Sequence, residues 1–535
     1  MVVPELRPWR AARPHVVRIA DAVRPRLARA AATVRPRLAR VVTAAGPRIA
    51  WPVARPGTWS KTRRFTVVAA ATGMALAAGV ATAAGPWDAT GQRTAERDRA
   101  VALQAARGTD HGGTRGNAGT PPRGPRAAPS APSVLVGLDG SAAVRPAPAG
   151  KALAGTLTPL LKAPELGRPA AAVVDVSTGR KLYAQGSGDA LTPASTTKIA
   201  TAAAVLTALG PDHRLTTRTT FEPDTKEVIL VGGGDPTLTA RKKDATGSAS
   251  LRDLAGRTAA ALAERGVREV TLSYDATLYA GGDRHPIGIN PNIAAVTPLM
   301  ADEARVDESV SGPANRVADP AADAARKFGE FLGEHGVKAT PPGPSKSTTR
   351  AATLATVSSP PLATLVERML TNSDNDLAEA LARHTAIATG ERADFAGAAT
   401  ALRTRLAELR VPLEGTVFKD GSGLDRTNRL TADLLTALLV KSADPAHPEL
   451  RAVLTGLPVG GFTGTLTGRY ADGAAGLVRA KTGTLTGVNT LAGTVVDQEG
   501  RLLAFAFLAT GTSDPTAAQT ALDRAATALA ACGCR

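Results

Sequence analysis

The 535-residue chain has two cysteines, Cys532 and Cys534, both at its very end. The body therefore carries no disulfide framework, and a Cys-x-Cys pair at a chain end makes a poor metal site. Histidine is also scarce. Past the N-terminal region only His213, His285, His335, His384 and His447 occur, scattered, and none stands beside a candidate nucleophile. His384 reads as a surface or half-buried residue of a helix. No His-Glu-x-x-His string and no Cys/His cluster occurs, which argues against a zinc peptidase; no metal and no other cofactor is expected. A Gly-x-Ser-x-Gly elbow is missing too, and a Ser-His-Asp triad, which assembles in space, gets no positive support.

Three short strings are present instead, in one order: Ser195-Thr196-Thr197-Lys198, Ser373-Asp374-Asn375 and Lys481-Thr482-Gly483. A serine hydroxyl is a poor nucleophile at neutral pH and needs a base within reach during attack. On a helix, positions i and i+3 share a face about 5–6 Å apart at Cβ, so Lys198 meets Ser195 by backbone geometry. Thr192-Pro193-Ala194 reads as the start of that helix and residues 199–206 as its apolar continuation. To act as a base Lys198 must spend time neutral; burial and a neighbouring cation, Lys481, are expected to lower its pKa.

Ser373-Asp374-Asn375 falls between two periodic segments, 362–370 and 377–381, and hence at a junction between helices. There Ser373 is placed to relay a proton to the leaving group and Asn375 to hold the substrate's peptide group, with Asp374 capping the next helix. Lys481-Thr482-Gly483-Thr484 reads as a strand edge after a loop. Gly483 lets a substrate backbone lie close, Lys481 and Thr482 meet a terminal carboxylate, and the N–H groups of Thr484 and Ser195 form an oxyanion hole. Ser-x-x-Lys alone is close to chance in a chain of this length; the ordered set is not.

The set resembles the low-molecular-mass, type-4 penicillin-binding proteins, the D-alanyl-D-alanine carboxypeptidase/endopeptidase family. The likeness also takes in Gly232-Gly233-Gly234-Asp235-Pro236, Ser359-Pro360-Pro361-Leu362, Lys419-Asp420-Gly421-Ser422-Gly423-Leu424, Leu457-Pro458-Val459-Gly460-Gly461 and Gly464-Thr465-Leu466. The resemblance implies an α/β (α+β), β-lactamase/transpeptidase-like fold: an antiparallel sheet flanked by helices, with a smaller inserted domain. It implies peptidoglycan stem peptides ending in D-Ala-D-Ala as substrate and β-lactams as covalent inhibitors. By motif match Ser195 is acylated, Lys198 is its base, Ser373 and Asn375 form the second motif, and Lys481, Thr482, Gly483 and Thr484 form the substrate-binding edge. About 175 residues separate Lys198 from Ser373, more than one helical lobe needs, though the insertion is short for the family. Two other readings stay open: a serine β-lactamase, and a non-catalytic cell-wall-binding protein on the same fold.

The net charge of +17 invites a nucleic-acid partner, but its distribution removes that reading: residues 1–64 hold 15 Lys and Arg against 2 acids. This basic arm, with a loose repeat in Val23-Arg24-Pro25-Arg26-Leu27 and Val34-Arg35-Pro36-Arg37-Leu38, is expected to be disordered and cytoplasmic, with anionic lipid as its partner. Residues 65–86 read as a single membrane-spanning anchor that leaves the catalytic part outside the cell, the alternative being a cleaved signal and secretion. Residues 87–150, rich in Gly, Pro and Ala, read as a flexible tether. The peptidase domain is expected over 151–218 and 346–530, and the insertion over 219–345.

Overall fold

The computed structural model describes residues 150–242, 247–471 and 473–533. The basic arm, the anchor and nearly all of the tether lie outside the described residues, as does Cys534. Among the described residues no helix is long and apolar enough to cross a membrane.

The first stretch of the larger domain is helix α1 (Gly150–Leu161), strands β1 (Arg168–Asp175) and β2 (Lys181–Gln185), and helix α2 (Thr197–Leu209). The chain then leaves to build the insertion: β3 (Thr216–Glu222), β4 (Glu227–Val231), α3 (Leu251–Glu264), β5 (Glu269–Asp275), α4 (Pro320–Glu334), the short β6 (Lys338–Ala339) and β7 (Gly343–Pro344), and β8 (Ala352–Ser358). It returns with α5 (Leu362–Asn372), α6 (Asn375–Thr389), α7 (Phe395–Glu408), α8 (Ala432–Ala443), α9 (Arg451–Thr455), β9 (Val478–Leu485), β10 (Val488–Val496), β11 (Leu502–Thr510) and α10 (Pro515–Ala530).

The larger domain's sheet is antiparallel throughout, in the order β2-β1-β11-β10-β9. Side chains alternate across a strand, and β11 uses both faces. Leu503, Phe505, Phe507 and Ala509 join the core under α1 and α10, whereas Ala504, Ala506 and Leu508 join the core of α2 and the helices from α5 to α9. Phe505 and Phe507 are fully buried, each contributing roughly 1.5–3 kcal/mol. The alanine-rich face lets α8 lie close to the sheet, so small residues here set a distance between layers.

The insertion has its own sheet, β6-β5-β4-β3-β8, with β7 also paired to β5. Strands β4 and β5 are parallel and therefore need a crossover, which α3 supplies. Helices α3 and α4 start on side-chain caps, Ser250 accepting from Asp253 N–H and Asp319 from Ala322 N–H. Both bury apolar stripes against the sheet. Because β3 pairs with β8 from Thr216↔Ser358 to Phe221↔Ala352, this sheet uses residues 216–358, a wider span than the expected 219–345. The insertion leaves directly after α2 and returns directly before α5, so both of its ends abut helices that carry the motif residues.

Candidate active site

Ser195 sits on a short 3-10 turn, Ala194–Thr196, that runs into the first turn of α2, where Lys198 lies. The turn is strained: Ala194 has φ 47°, a left-handed conformation unfavourable for a residue with a Cβ. Threonines hold it in place. Thr196 Oγ1 and Thr490 Oγ1 donate to the Pro193 carbonyl at 2.6 and 2.8 Å, and Thr197 Oγ1 donates to the Ala194 carbonyl at 2.9 Å. Two glycines pack on the same turn. A Cβ on Gly423 would stand 1.9 Å from the Ala194 carbonyl oxygen, and one on Gly483 would stand 3.0 Å from the Ser195 nitrogen and 2.1 Å from Thr490 Oγ1. Gly423 also has φ 85°, so Gly423→Ala combines a clash with left-handed strain. It is expected to lower stability by about 1–3 kcal/mol and to slow acylation of Ser195, as measured by thermal melting and labelling kinetics.

Lys198 is fully buried, and its Nζ has three partners: Ser195 Oγ at 3.1 Å, Asn375 Oδ1 at 2.7 Å and the Ser422 carbonyl at 2.7 Å. The last two only accept. In the neutral amine they take both N–H groups and leave the lone pair toward the hydroxyl of Ser195. Burial lowers the Lys198 pKa to about 8, against the opposing pull of Asp420, Glu379, Asp374 and Asp376. The expected help from Lys481 runs mainly the other way: burial first, then the charge of Lys198, push Lys481 well below its ordinary value. Lys481 is fully buried and donates to the Thr482 carbonyl at 2.8 Å.

Ser373 ends α5 in the left-handed conformation, φ 59°, and Asp374 caps α6 by accepting from Leu377 N–H. This is the expected junction of two helices. The Asn375 amide bridges two elements, its oxygen toward Lys198 and its nitrogen donating to the Asn292 carbonyl of the insertion at 2.8 Å. That carbonyl fixes which way the amide faces, and one amide proton is left over.

Strand β9 is an edge strand. The loop at 458–460 covers its first half, with Ala480 N–H donating to Pro458 and Gly460 N–H donating to Val478, so the edge opens only at the third motif. Thr482 Oγ1 donates to Thr465 Oγ1 at 2.9 Å. A cleft of about 480 Å³ is lined by Ser195, Ser373, Asn375, Thr482 and Thr484, together with Asn290, Asn292, Arg305 and Arg316 of the insertion. Lys198 and Lys481 stand behind this wall.

The sequence matches the D-Ala-D-Ala carboxypeptidase 3 (S13) family over residues 153–313 and 305–530. The chain belongs to this family. It is 37% identical over 407 residues to carboxypeptidase DacB of Mycolicibacterium smegmatis, covering 73% of this chain and 86% of that protein. It is 34% identical over 429 residues to a carboxypeptidase of Mycobacterium tuberculosis, covering 77% of this chain and 91% of that one. The crystal structure of penicillin binding protein 4 from Haemophilus influenzae shares the fold, with a TM-score of 0.57 at 20% identity over 70% of this chain and 97% of that one.

The motifs of this S13 chain stand on a scaffold that motif reading alone passes over. The loop at 419–424, quoted above only as a companion string, supplies the Ser422 carbonyl to Lys198. The fully buried Asp420 carboxylate holds that loop, accepting from Gly423 N–H, Asp425 N–H and Asn428 Nδ2 at 2.6–2.8 Å and from His285 Nε2 at 2.9 Å. Glu379, also fully buried, accepts from the N–H groups of Gly421 and Ser422 at 3.1 and 2.8 Å. His285 comes from the insertion; its Nδ1 accepts from Ile287 N–H at 3.1 Å, which leaves the proton on Nε2 for Asp420. Its distance in sequence from every motif hid it.

Ligand atoms of His285, Glu379 and Asp420 lie within 4.8 Å of one another, as do those of Glu303, Asp374 and Asp376. In both groups the oxygens already accept hydrogen bonds from N–H groups or arginines. His384, expected at or near the surface, is buried beside Gly234, and burial drops its pKa to about 4.

Proposed function

We propose that this S13 chain is a serine D-alanyl-D-alanine carboxypeptidase/endopeptidase that cleaves peptidoglycan stem peptides through an acyl-enzyme on Ser195. The observation that carries the reading is the arrangement at Lys198, where Nζ lies 3.1 Å from Ser195 Oγ and two acceptors take its other hydrogens, so that the neutral amine has its lone pair left for the serine proton. Ser195 Oγ attacks the carbonyl carbon of the penultimate D-alanine while Lys198 Nζ takes its proton. The N–H groups of Ser195 and Thr484 receive the oxyanion. The C–N bond then breaks, and Ser373, which lines the cleft, passes a proton to the leaving nitrogen. Water cleaves the Ser195 ester by the same route in reverse.

Thr482 and Thr484 meet the substrate's carboxylate along the open edge of β9, with Gly483 allowing the approach. Lys481, behind them, contributes charge when that anion arrives. β-Lactams present a strained amide in the same place and acylate Ser195. Incubation of the catalytic part with cross-linked and uncross-linked muropeptides is expected to release D-alanine, to split cross-links, or both, as read by product masses. Rapid penicillin turnover without either product would contradict the proposal and favour a β-lactamase.

We further infer that residues 65–86 hold the chain in the membrane, with the basic arm on anionic lipid inside and the enzyme outside. The full chain is then expected in the membrane fraction and a chain lacking 1–86 in the soluble one; equal solubility of the two would contradict this.

A further inference from the structure

Two arginines of the insertion, Arg305 and Arg316, line the cleft that holds Ser195, and the reaction as written makes no use of them. They face each other across an antiparallel β-bridge, which sets their side chains next to one another. Their side chains are only 4% and 7% exposed. In each guanidinium Nε and NH1 are occupied. Arg305 donates to Glu303 Oε2 at 2.8 Å, to Ser309 Oγ at 3.0 Å and to the Ser311 carbonyl at 3.3 Å. Arg316 donates to the carbonyls of Ala314 and Glu303 and to Asp376 Oδ2 at 2.7 Å. The NH2 group of neither donates to anything among the described residues, and neither is among the nitrogens sealed from solvent. Two neighbouring donors, neither sealed from solvent, thus stand on residues that line the cleft.

The arginines and the carboxylates around them are matched in number. Arg305, Arg316 and Arg368 face Glu303, Asp374 and Asp376. Burial and the nearby Asp374 carboxylate drive the Glu303 pKa up.

We propose that Arg305 and Arg316 form an anion subsite that binds a carboxylate on the leaving strand of a cross-linked stem peptide. The inference rests on the D,D-peptidase reading. In that reading Ser373 serves the leaving nitrogen, and the two arginines flank the same helix junction through Asp376 and Glu303, so what reaches them is the leaving product. A single D-alanine has one carboxylate, already assigned to Thr482 and Thr484. Only a longer leaving strand brings a second one. Paired guanidinium donors suit a carboxylate because its two oxygens match two N–H groups.

The test compares two cross-linked dimers that keep the carboxylate beside the scissile bond and differ only in the second carboxylate of the leaving strand, free in one and amidated in the other. In the native protein kcat/KM is expected to favour the free form by about tenfold or more. In Arg305→Gln and Arg316→Gln the ratio should fall toward one, and Arg305→Lys should keep part of it. Each ratio is taken within one variant and cancels any loss common to both substrates. A ratio near one in the native protein, or an unchanged ratio in both glutamine variants, overturns the subsite. If neither dimer is cleaved while D-alanine is released from an uncross-linked peptide, the subsite is wrong and the D,D-peptidase reading stands. Absence of D-alanine release and of penicillin labelling removes both.

Discussion

Replacing Lys198 with Met is expected to slow acylation by a penicillin by about 10²–10⁴-fold while leaving the fold in place. Methionine fills nearly the same volume in a fully buried site and removes a cation that burial already disfavours, so the loss of hydrogen bonds to Asn375 and Ser422 is partly offset. What disappears is the only group among the described residues that bonds both Ser195 and the loop at 419–424. The pH profile should change with the rate. In the proposed mechanism Lys198 loses its proton before it acts, so acylation should rise as pH passes about 8 in the native protein; the variant should lack that rise. Stopped-flow labelling with a fluorescent penicillin between pH 6 and 10 measures both. A methionine variant that keeps the rise would assign the base elsewhere.

Asp420→Ala is expected to be the most destabilising single change at the site, by about 3–5 kcal/mol, because it strips a buried carboxylate from several donors at once. His285 Nε2, Asn428 Nδ2 and the N–H groups of Gly423 and Asp425 would all lose their acceptor. Chemical denaturation measures the loss. Asp420→Asn separates stability from chemistry. It keeps an acceptor for Gly423 and Asn428, but its amide nitrogen would face the His285 proton, and it deletes the charge that raises the Lys198 pKa. The pH at which acylation rises should therefore move below the native value of about 8. A shift upward, or none, would show that Asp420 acts on the loop alone.

The parts of the site that depend on local spacing were legible in the sequence. Ser195 and Lys198 are three positions apart at the head of one helix, Ser373 and Asn375 straddle a helix junction with Asp374 as its cap, and 481–484 form an open strand edge. The antiparallel sheet with flanking helices followed from the family resemblance. What the sequence hid depends on backbone atoms or on long-range pairing. The third partner of Lys198 is a carbonyl, which any residue at 422 provides, and the amide of Asn375 is turned by another carbonyl, that of Asn292. His285 works through a carboxylate 135 positions away. The insertion's limits were misjudged for the same reason: β3 and β8 pair across 142 positions at Thr216 and Ser358, and no local signal marks either as belonging to the second sheet. Of the two expected causes of the low Lys198 pKa, burial is the one that acts; Lys481 is itself pushed well below its ordinary value by burial and by the charge of Lys198.

The strained Ala194 turn joins these observations. It is held by Thr196, by Thr197 of α2 and by Thr490 of β10 and closed by Gly423 and Gly483, so Ser195, the loop that holds Lys198 and the open edge of β9 meet at one backbone position. The insertion reaches the same point through Asn292 and His285. It therefore braces the proposed catalytic residues as well as walling the cleft.

The most direct measurement is the mass of the protein after brief exposure to benzylpenicillin, followed by peptide mapping. The native chain should gain one penicilloyl group on the peptide that contains Ser195, and Ser195→Ala should gain none while melting at a similar temperature. An adduct on another residue, or one that persists in Ser195→Ala, would contradict the central claim.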